Sequence, residues 1–284
     1  MIKLVECPRD AMQGLKTFIP TEIKVDYLNQ LLSVGFDTID FGSFVSPKAI
    51  PQMRDTADVL RRLDLTATTS SLLAIVANLR GAQDAALFEE ISYLGYPFSI
   101  SETFQLRNTN ATIEESLERV GDIQQLCISS GKKLVIYISM GFGNPYGDEW
   151  NVEIVHKWVD RLAALGIGII QLSDTIGVST PENISYLFGN LLPSYENIEI
   201  GAHLHTEPHN WKEKVEAAYG SGCRRFDGAI KGYGGCPMAK DDLTGNMPTE
   251  NMFAYFQQQG LELGLDPAMF AAAMSTAQRI FPLY

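Results

Sequence analysis

Eight short β-rich runs, each followed by a longer stretch of helical periodicity, most constrain what this 284-residue chain can fold into. The strand candidates are Ile2–Glu6, Thr38–Phe41, Leu65–Ser70, Phe98–Ser101 (with Ile91–Leu94 leading into it), Leu134–Ser139, Ile167–Leu172, Ile198–Leu204 and Arg225–Ala229. They recur about one βα unit apart, and several are apolar on both faces, as strands covered by helices must be. Between them, Thr21 precedes Val25, Leu28, Leu31 and Leu32, and Gly35 stops that run. Thr112 with Glu115 fits a capping box ahead of Leu117, Val120 and Ile123, and Gly131 ends it. Val152, Val155, Val159 and Leu162 repeat at helical spacing up to Gly166. Thr180-Pro181 reads as an N-cap and first helical residue before Ile184, Leu187 and Leu191. Two more helical runs, Thr249–Gly260 and Pro267–Ile280, follow the eighth strand.

Eight such units predict an α/β fold: a single (β/α)8 TIM barrel over about residues 1–250, with extra C-terminal helices over about 249–284. No stretch reads as a linker, so one domain over 1–284 is expected. A doubly wound open sheet would show a glycine-rich first turn; the first turn here is Pro8-Arg9-Asp10-Ala11-Met12-Gln13-Gly14.

Composition narrows the partners. The chain has 22 Lys and Arg against 34 Asp and Glu, a net charge of −12, and no basic cluster. That argues against nucleic acid and anionic membranes, since phosphate binding needs cations gathered on one face. No apolar run approaches the ~18 residues of a membrane span. The opening MIKLVECPRD carries no signal or transit pattern. Four scattered cysteines, Cys7, Cys127, Cys223 and Cys236, include no CxxC pair, so a reduced, cytoplasmic compartment is expected.

In a barrel of this kind the chemistry sits at the C-terminal ends of the strands. The polar residues there are Arg9, Asp10 and Gln13 after strand one; Asp40 and Ser43 after strand two; and Glu102 after strand four. Tyr137 and Ser139 close strand five, and Asp174 and Thr175 follow strand six. His203 and His205 end strand seven, and Lys231, Cys236 and Asn246 follow strand eight. His203-Leu204-His205 is the strongest local signal, because residues i and i+2 of a strand share a face. Asp10 adds an anionic oxygen and Asn246 a neutral one. Two nitrogens and two oxygens with open positions suit Mg²⁺ or Mn²⁺, with Zn²⁺ and Co²⁺ as alternatives. Gln13, Asp40, Ser43, Tyr137, Ser139, Asp174, Thr175 and Lys231 are read as the substrate-facing set.

Cys236 lies in Gly232-Tyr233-Gly234-Gly235-Cys236-Pro237 and reads as an accessible thiol serving as a general acid. Arg9 beside Asp10 places a guanidinium where it would hold an enolate or carboxylate oxygen. Lys231 stays open between a solvated lysine and a cation for a carboxylate or phosphate. Cys7, Cys127 and Cys223 read as packing residues, His156 and His209 as solvated, and Met238 through Asp242 as loop surface.

With these residues in view, the chain resembles the 3-hydroxy-3-methylglutaryl-CoA lyase family, within the metal-dependent carbon–carbon lyases and Claisen-type synthases. The matching segments are Pro8-Arg9-Asp10 with Gln13; Ser43 through Lys48 with Pro51-Gln52-Met53; Asn110 through Ser116; Ser173 through Val178; His203-Leu204-His205; and Gly232 through Pro237 with Gly245-Asn246. The resemblance implies cleavage of the thioester to acetyl-CoA and acetoacetate by a retro-Claisen step. It implies Asp10, His203, His205 and Asn246 as metal ligands, Arg9 on the enolate oxygen, Cys236 in proton transfer, and Asp10 or His203 as the base. A CoA thioester substrate and a homodimer are implied with it. The chain departs from the family pattern at Asp40, where Glu is usual; at Thr206-Glu207-Pro208-His209, where Asp-Thr-Tyr-Gly is common; and at Lys231, where a small residue is usual. A synthase joining acetyl-CoA to a 2-oxo acid, as in isopropylmalate or homocitrate synthase, runs the same chemistry in reverse. A CoA-independent pyruvate aldolase and a non-catalytic barrel are the more distant alternatives.

Overall fold

The strand–helix alternation closes on itself in the computed structural model, which describes residues 1–235 and 244–283. Eight parallel strands form the barrel: β1 (Lys3–Glu6), β2 (Thr38–Ser43), β3 (Ser71–Ile75), β4 (Ile91–Ser99), β5 (Lys133–Ser139), β6 (Ile169–Ser173), β7 (Glu199–His203) and β9 (Arg225–Gly228). β9 pairs back with β1, Lys3 opposite Arg225 and Glu6 opposite Gly228. A second, two-stranded antiparallel ladder joins β8 (His205–Thr206) to β10 (Gly245–Asn246) above the barrel rim.

The helices carry the sequence signals into space. α1 (Pro8–Gln13), α2 (Thr21–Leu32), α3 (Thr56–Leu60), α4 (Leu79–Ala86) and α5 (Glu102–Thr109) cover the first half. α6 (Ile113–Ser129), α7 (Val152–Ala164), α8 (Pro181–Ser194) and α9 (Trp211–Gly220) cover the second, followed by α10 (Thr249–Gln258) and α11 (Pro267–Ile280). The Thr112–Glu115 capping box is present, and Thr180 caps α8 with Pro181 at its first position. Gly35, Gly131 and Gly166 end their helices at positive φ. α11 packs on α2, with Phe270 edge-on to Phe36 and Phe281 edge-on to Tyr27. Among the described residues no helix is long and apolar enough to cross a membrane.

The structure corrects the expected elements in four places. The seventh strand ends at His203, and His205 does not belong to it but opens β8, where it pairs with Asn246. Leu65–Ser70 is not a strand; the third strand is Ser71–Ile75. In the earlier segment Thr66 bonds Asp64, Thr68 donates to the Leu32 carbonyl, and Ser70 N–H bonds Thr68. These local side-chain bonds compete with a sheet ladder. The fourth strand is one run of nine residues, Ile91–Ser99, not a strand with a lead-in; Pro97, which donates no ladder bond, split it in the sequence. The first turn after β1 is a six-residue helix with Pro8 at its start, so Arg9 and Asp10 ride on α1 rather than on a loop.

Candidate active site

Asp10, His203 and His205 converge at the C-terminal mouth of the barrel, each offering a ligand atom within 4.8 Å of the others. Each imidazole is held in one orientation from behind. His205 Nδ1 lies 3.1 Å from the Thr175 carbonyl, which only accepts, so Nδ1 carries the proton. That leaves the lone pair on His205 Nε2, an atom that is buried and without a hydrogen-bond partner among the described residues. Burial, then the neighbouring His203, pushes His205 down to about 4, so it is neutral near neutrality. A buried imidazole lone pair beside a carboxylate is a donor set that fits a divalent cation.

His203 Nδ1 lies 3.1 Å from Asp227 Oδ2, and its ring meets Tyr137 edge-on at 5.7 Å. Burial pulls His203 down, but the hydrogen bond and charge of Asp227, with Asp10, outweigh it and leave it raised. Asp10 is penalised by burial, yet Arg9, His203, His205 and Asn246 together hold it below the usual carboxylate range. Asp10 Oδ1 accepts from Arg9 Nη1 at 2.8 Å and from Gln13 Nε2 at 2.7 Å, and Oδ2 accepts from Asn246 Nδ2 at 2.8 Å.

Asn246 reaches this cluster through the small ladder, where it pairs with His205 and Gly245 pairs with Thr206. The remodelled segment after the HxH motif is thereby hydrogen-bonded to the strand bearing Asn246. Gly234 makes the approach possible. At φ 86 it lies so close that a Cβ would sit 2.7 Å from the Asp10 carbonyl oxygen and 2.9 Å from Asn246 Nδ2. Arg9 is enclosed between Asp40 and Asp10. Burial opposes its charge, but the two carboxylates secure it and raise its pKa.

The other substrate-facing candidates divide. Ser43, Tyr137 and Ser139 are buried at the strand ends, and the Tyr137 hydroxyl has no hydrogen-bond partner among the described residues. Gln13 instead braces Asp10. Asp174 does not face the site: Ser179 and Lys214 enclose its carboxylate. Thr175 serves through its carbonyl, and its hydroxyl accepts from Met140 N–H. Glu102 accepts from Ile113 N–H at the start of α6. Lys231 stands at φ 61, its N–H donating to Glu250 and its ammonium 3.5 Å from the same carboxylate. Cys236 lies outside the described residues, as does the 238–242 surface reading. Cys7, Cys127 and Cys223 are buried and free, while His156 is half-buried against Tyr195 rather than solvated. His209 is exposed.

Sequence reasoning missed Lys214, Asp227 and Gln171. Lys214 is 1% exposed and bonds Asp174 at 3.0 Å and the His205 carbonyl at 2.8 Å, tying the loop after β6 to β8. Asp227 stands two residues after Arg225 on β9, and both are buried; no pattern in the sequence set it apart from a solvated charge.

Residues 2–277 match the HMGL-like family model. The cytoplasmic 3-hydroxy-3-methylglutaryl-CoA lyase of Mus musculus is 33% identical over 272 residues, 93% of this chain and 77% of that protein. The structure of the HMG-CoA lyase from Brucella melitensis superposes with a TM-score of 0.92 at 29% identity, covering 99% of both chains. An HMG-CoA lyase from Acinetobacter baumannii, in complex with coenzyme A and 3-methylmalate, gives 0.90 at 30% identity, covering 99% of this chain and 92% of that one.

Proposed function

The chain belongs to the HMGL-like family and is a carbon–carbon lyase of the hydroxymethylglutaryl-CoA lyase type, and we propose that it cleaves 3-hydroxy-3-methylglutaryl-CoA to acetyl-CoA and acetoacetate. The observation that carries this reading is the buried His205 Nε2, unpartnered among the described residues, beside Asp10 and His203, with a charged guanidinium adjoining Asp10. The A. baumannii relative's complex supports a CoA thioester with a short, branched hydroxy-acid end.

Asp10, His203, His205 and Asn246 would hold a divalent cation, Mg²⁺ or Mn²⁺ before Zn²⁺ or Co²⁺. When bound, such an ion supplies Lewis acidity toward substrate oxygens. The chain's own groups do the remaining work. The 3-hydroxyl proton passes to Asp10, since His203, the other candidate base, has Nδ1 against Asp227 and Nε2 turned to the cation centre; the C2–C3 bond breaks, and its electron pair moves into the thioester as an enolate. Arg9 has five N–H donors; Asp40 and Asp10 engage its Nε and one proton on each Nη. The two left over are donors for the enolate oxygen, where fixed charge is worth most. Cys236 returns a proton to the enolate carbon, an assignment made from sequence alone. Ser43, Tyr137 and Ser139 would line the acyl end, and Gln13 acts by bracing Asp10. The proposal includes one catalytic domain over residues 1–284, working as a homodimer in the cytoplasm.

Asp40 and the 206–209 segment favour, as a second reading, a related branched 3-hydroxyacyl-CoA. A panel of 3-hydroxyacyl thioesters with Mg²⁺, scored for ketone release, tests both. Highest kcat/KM with 3-hydroxy-3-methylglutaryl-CoA supports the first reading. Release of CoA only when acetyl-CoA is mixed with a 2-oxo acid would replace it with the synthase.

A further inference from the structure

His203 differs from His205 in what stands behind it: a carboxylate enclosed in the barrel rather than a backbone carbonyl. His203 and Asp227 are register partners on β7 and β9, so the 3.1 Å contact is built into the strand pairing. Asp227 is 2% exposed, and its other oxygen accepts from Gln171 Nε2 on β6. Gln171 lies across Gly201: a Cβ at 201 would sit 1.8 Å from Gln171 Oε1. The missing side chain at 201 is therefore what lets the Gln171 amide lie where it does. Arg225, two residues before Asp227 on β9, adds a favourable charge to that carboxylate, but its Nη1 is engaged elsewhere, 3.4 Å from Asp37 and 3.6 Å from Glu199. Cys7, whose thiol burial keeps protonated, borders the His203–Asp227 pair without adding charge.

We propose that Asp227 is a positioning residue for the cation centre. It keeps the proton of His203 on Nδ1 and the Nε2 lone pair turned to Asp10 and His205, and Gln171, seated over Gly201, keeps Asp227 in place. The inference rests on the metal-dependent reading given above. Partners behind a ligating histidine fix its tautomer and raise its basicity, and losing one typically costs ~10–100-fold in metal affinity.

The test is Mn²⁺ binding without substrate, followed by electron paramagnetic resonance, on wild type, Asp227→Asn, Asp227→Glu and Gln171→Leu. Asp227→Asn is expected to weaken Mn²⁺ by ~10–100-fold, Gln171→Leu by less, with Asp227→Glu recovering part of the loss. A merely structural role would lower thermal stability and leave the affinity of the folded protein unchanged. Unchanged affinity in folded Asp227→Asn overturns the proposal, as does a wild type that binds no Mn²⁺. Should Asp227→Asn fail to fold, ¹⁵N spectra of metal-free wild type decide. A proton on His203 Nδ1 is expected, and a neutral ring with its proton on Nε2 overturns the inference. Because no acyl-CoA is present, the inference can fail while the cleavage reaction stands, and the reverse.

Discussion

Asp40 grips Arg9 with both carboxylate oxygens: Arg9 Nε lies 3.2 Å from Oδ1 and 3.0 Å from Oδ2, and Nη2 also donates to Oδ2. The same guanidinium reaches Asp10 through Nη1 at 2.8 Å. One cation thus ties the middle of β2 to the helix that carries Asp10. Aspartate, one methylene shorter than glutamate, makes the full contact. Its position is wholly enclosed, and burial lifts its pKa to about 6 despite the pull of Arg9.

Replacing Asp40 with Asn keeps the shape and removes the charge that aims Arg9. A catalytic group displaced by about 1 Å can cost ~10²-fold in rate. Steady-state kinetics should show kcat reduced on that scale with KM moved much less. A KM-only effect would place Asp40 in substrate binding instead.

Lys214 is a buried ammonium between Asp174 and the His205 carbonyl. Lys214→Met strands the Asp174 carboxylate, and breaking a buried pair on one side costs ~3–5 kcal/mol. Urea midpoints should fall accordingly. The double variant Lys214→Met/Asp174→Asn should recover a large part of the loss; equal instability of single and double variants would mean that packing, not the stranded charge, sets the cost.

Much of this site was legible because its parts sit at strand ends at fixed spacing. His203 and His205, two positions apart at the end of β7 and the start of β8, turn to one side, and Asp10 lies just beyond β1. What brings Asn246 to His205 was not legible. Neither local propensity nor period marks a ladder of two residues formed between segments forty positions apart. Lys214 and Asp227 were hidden for another reason. A charged residue on a helix or strand reads as solvated unless the partner that buries it is known. The misplaced third strand shows the converse: threonines that favour strands bonded their own neighbours instead.

Glu6 gives a stability signature that depends on pH. Burial pushes its carboxyl up to about 8, only partly offset by its bonds from Thr249 and Ile230. The folded state therefore holds a proton that the unfolded chain has released. Stability from Glu6 is complete below the unfolded value of about 4.5 and is lost as pH rises toward about 8. Glu6→Gln keeps the bonding pattern without the titration. Relative to that variant, wild type should lose urea resistance steadily from pH 5 to about 8 and level off above. A constant difference across that range would mean Glu6 is ionised in the fold.

The most direct measurement of the central claim is acetoacetate release from 3-hydroxy-3-methylglutaryl-CoA by exhaustively chelated protein, before and after Mg²⁺ or Mn²⁺ is restored, with His205→Ala alongside. The account predicts no release from chelated wild type and recovery on adding back the ion. It also predicts that His205→Ala binds the ion weakly and regains little, as loss of a ligand at a preformed site requires. Undiminished cleavage by the chelated protein, or full recovery in His205→Ala, would contradict it.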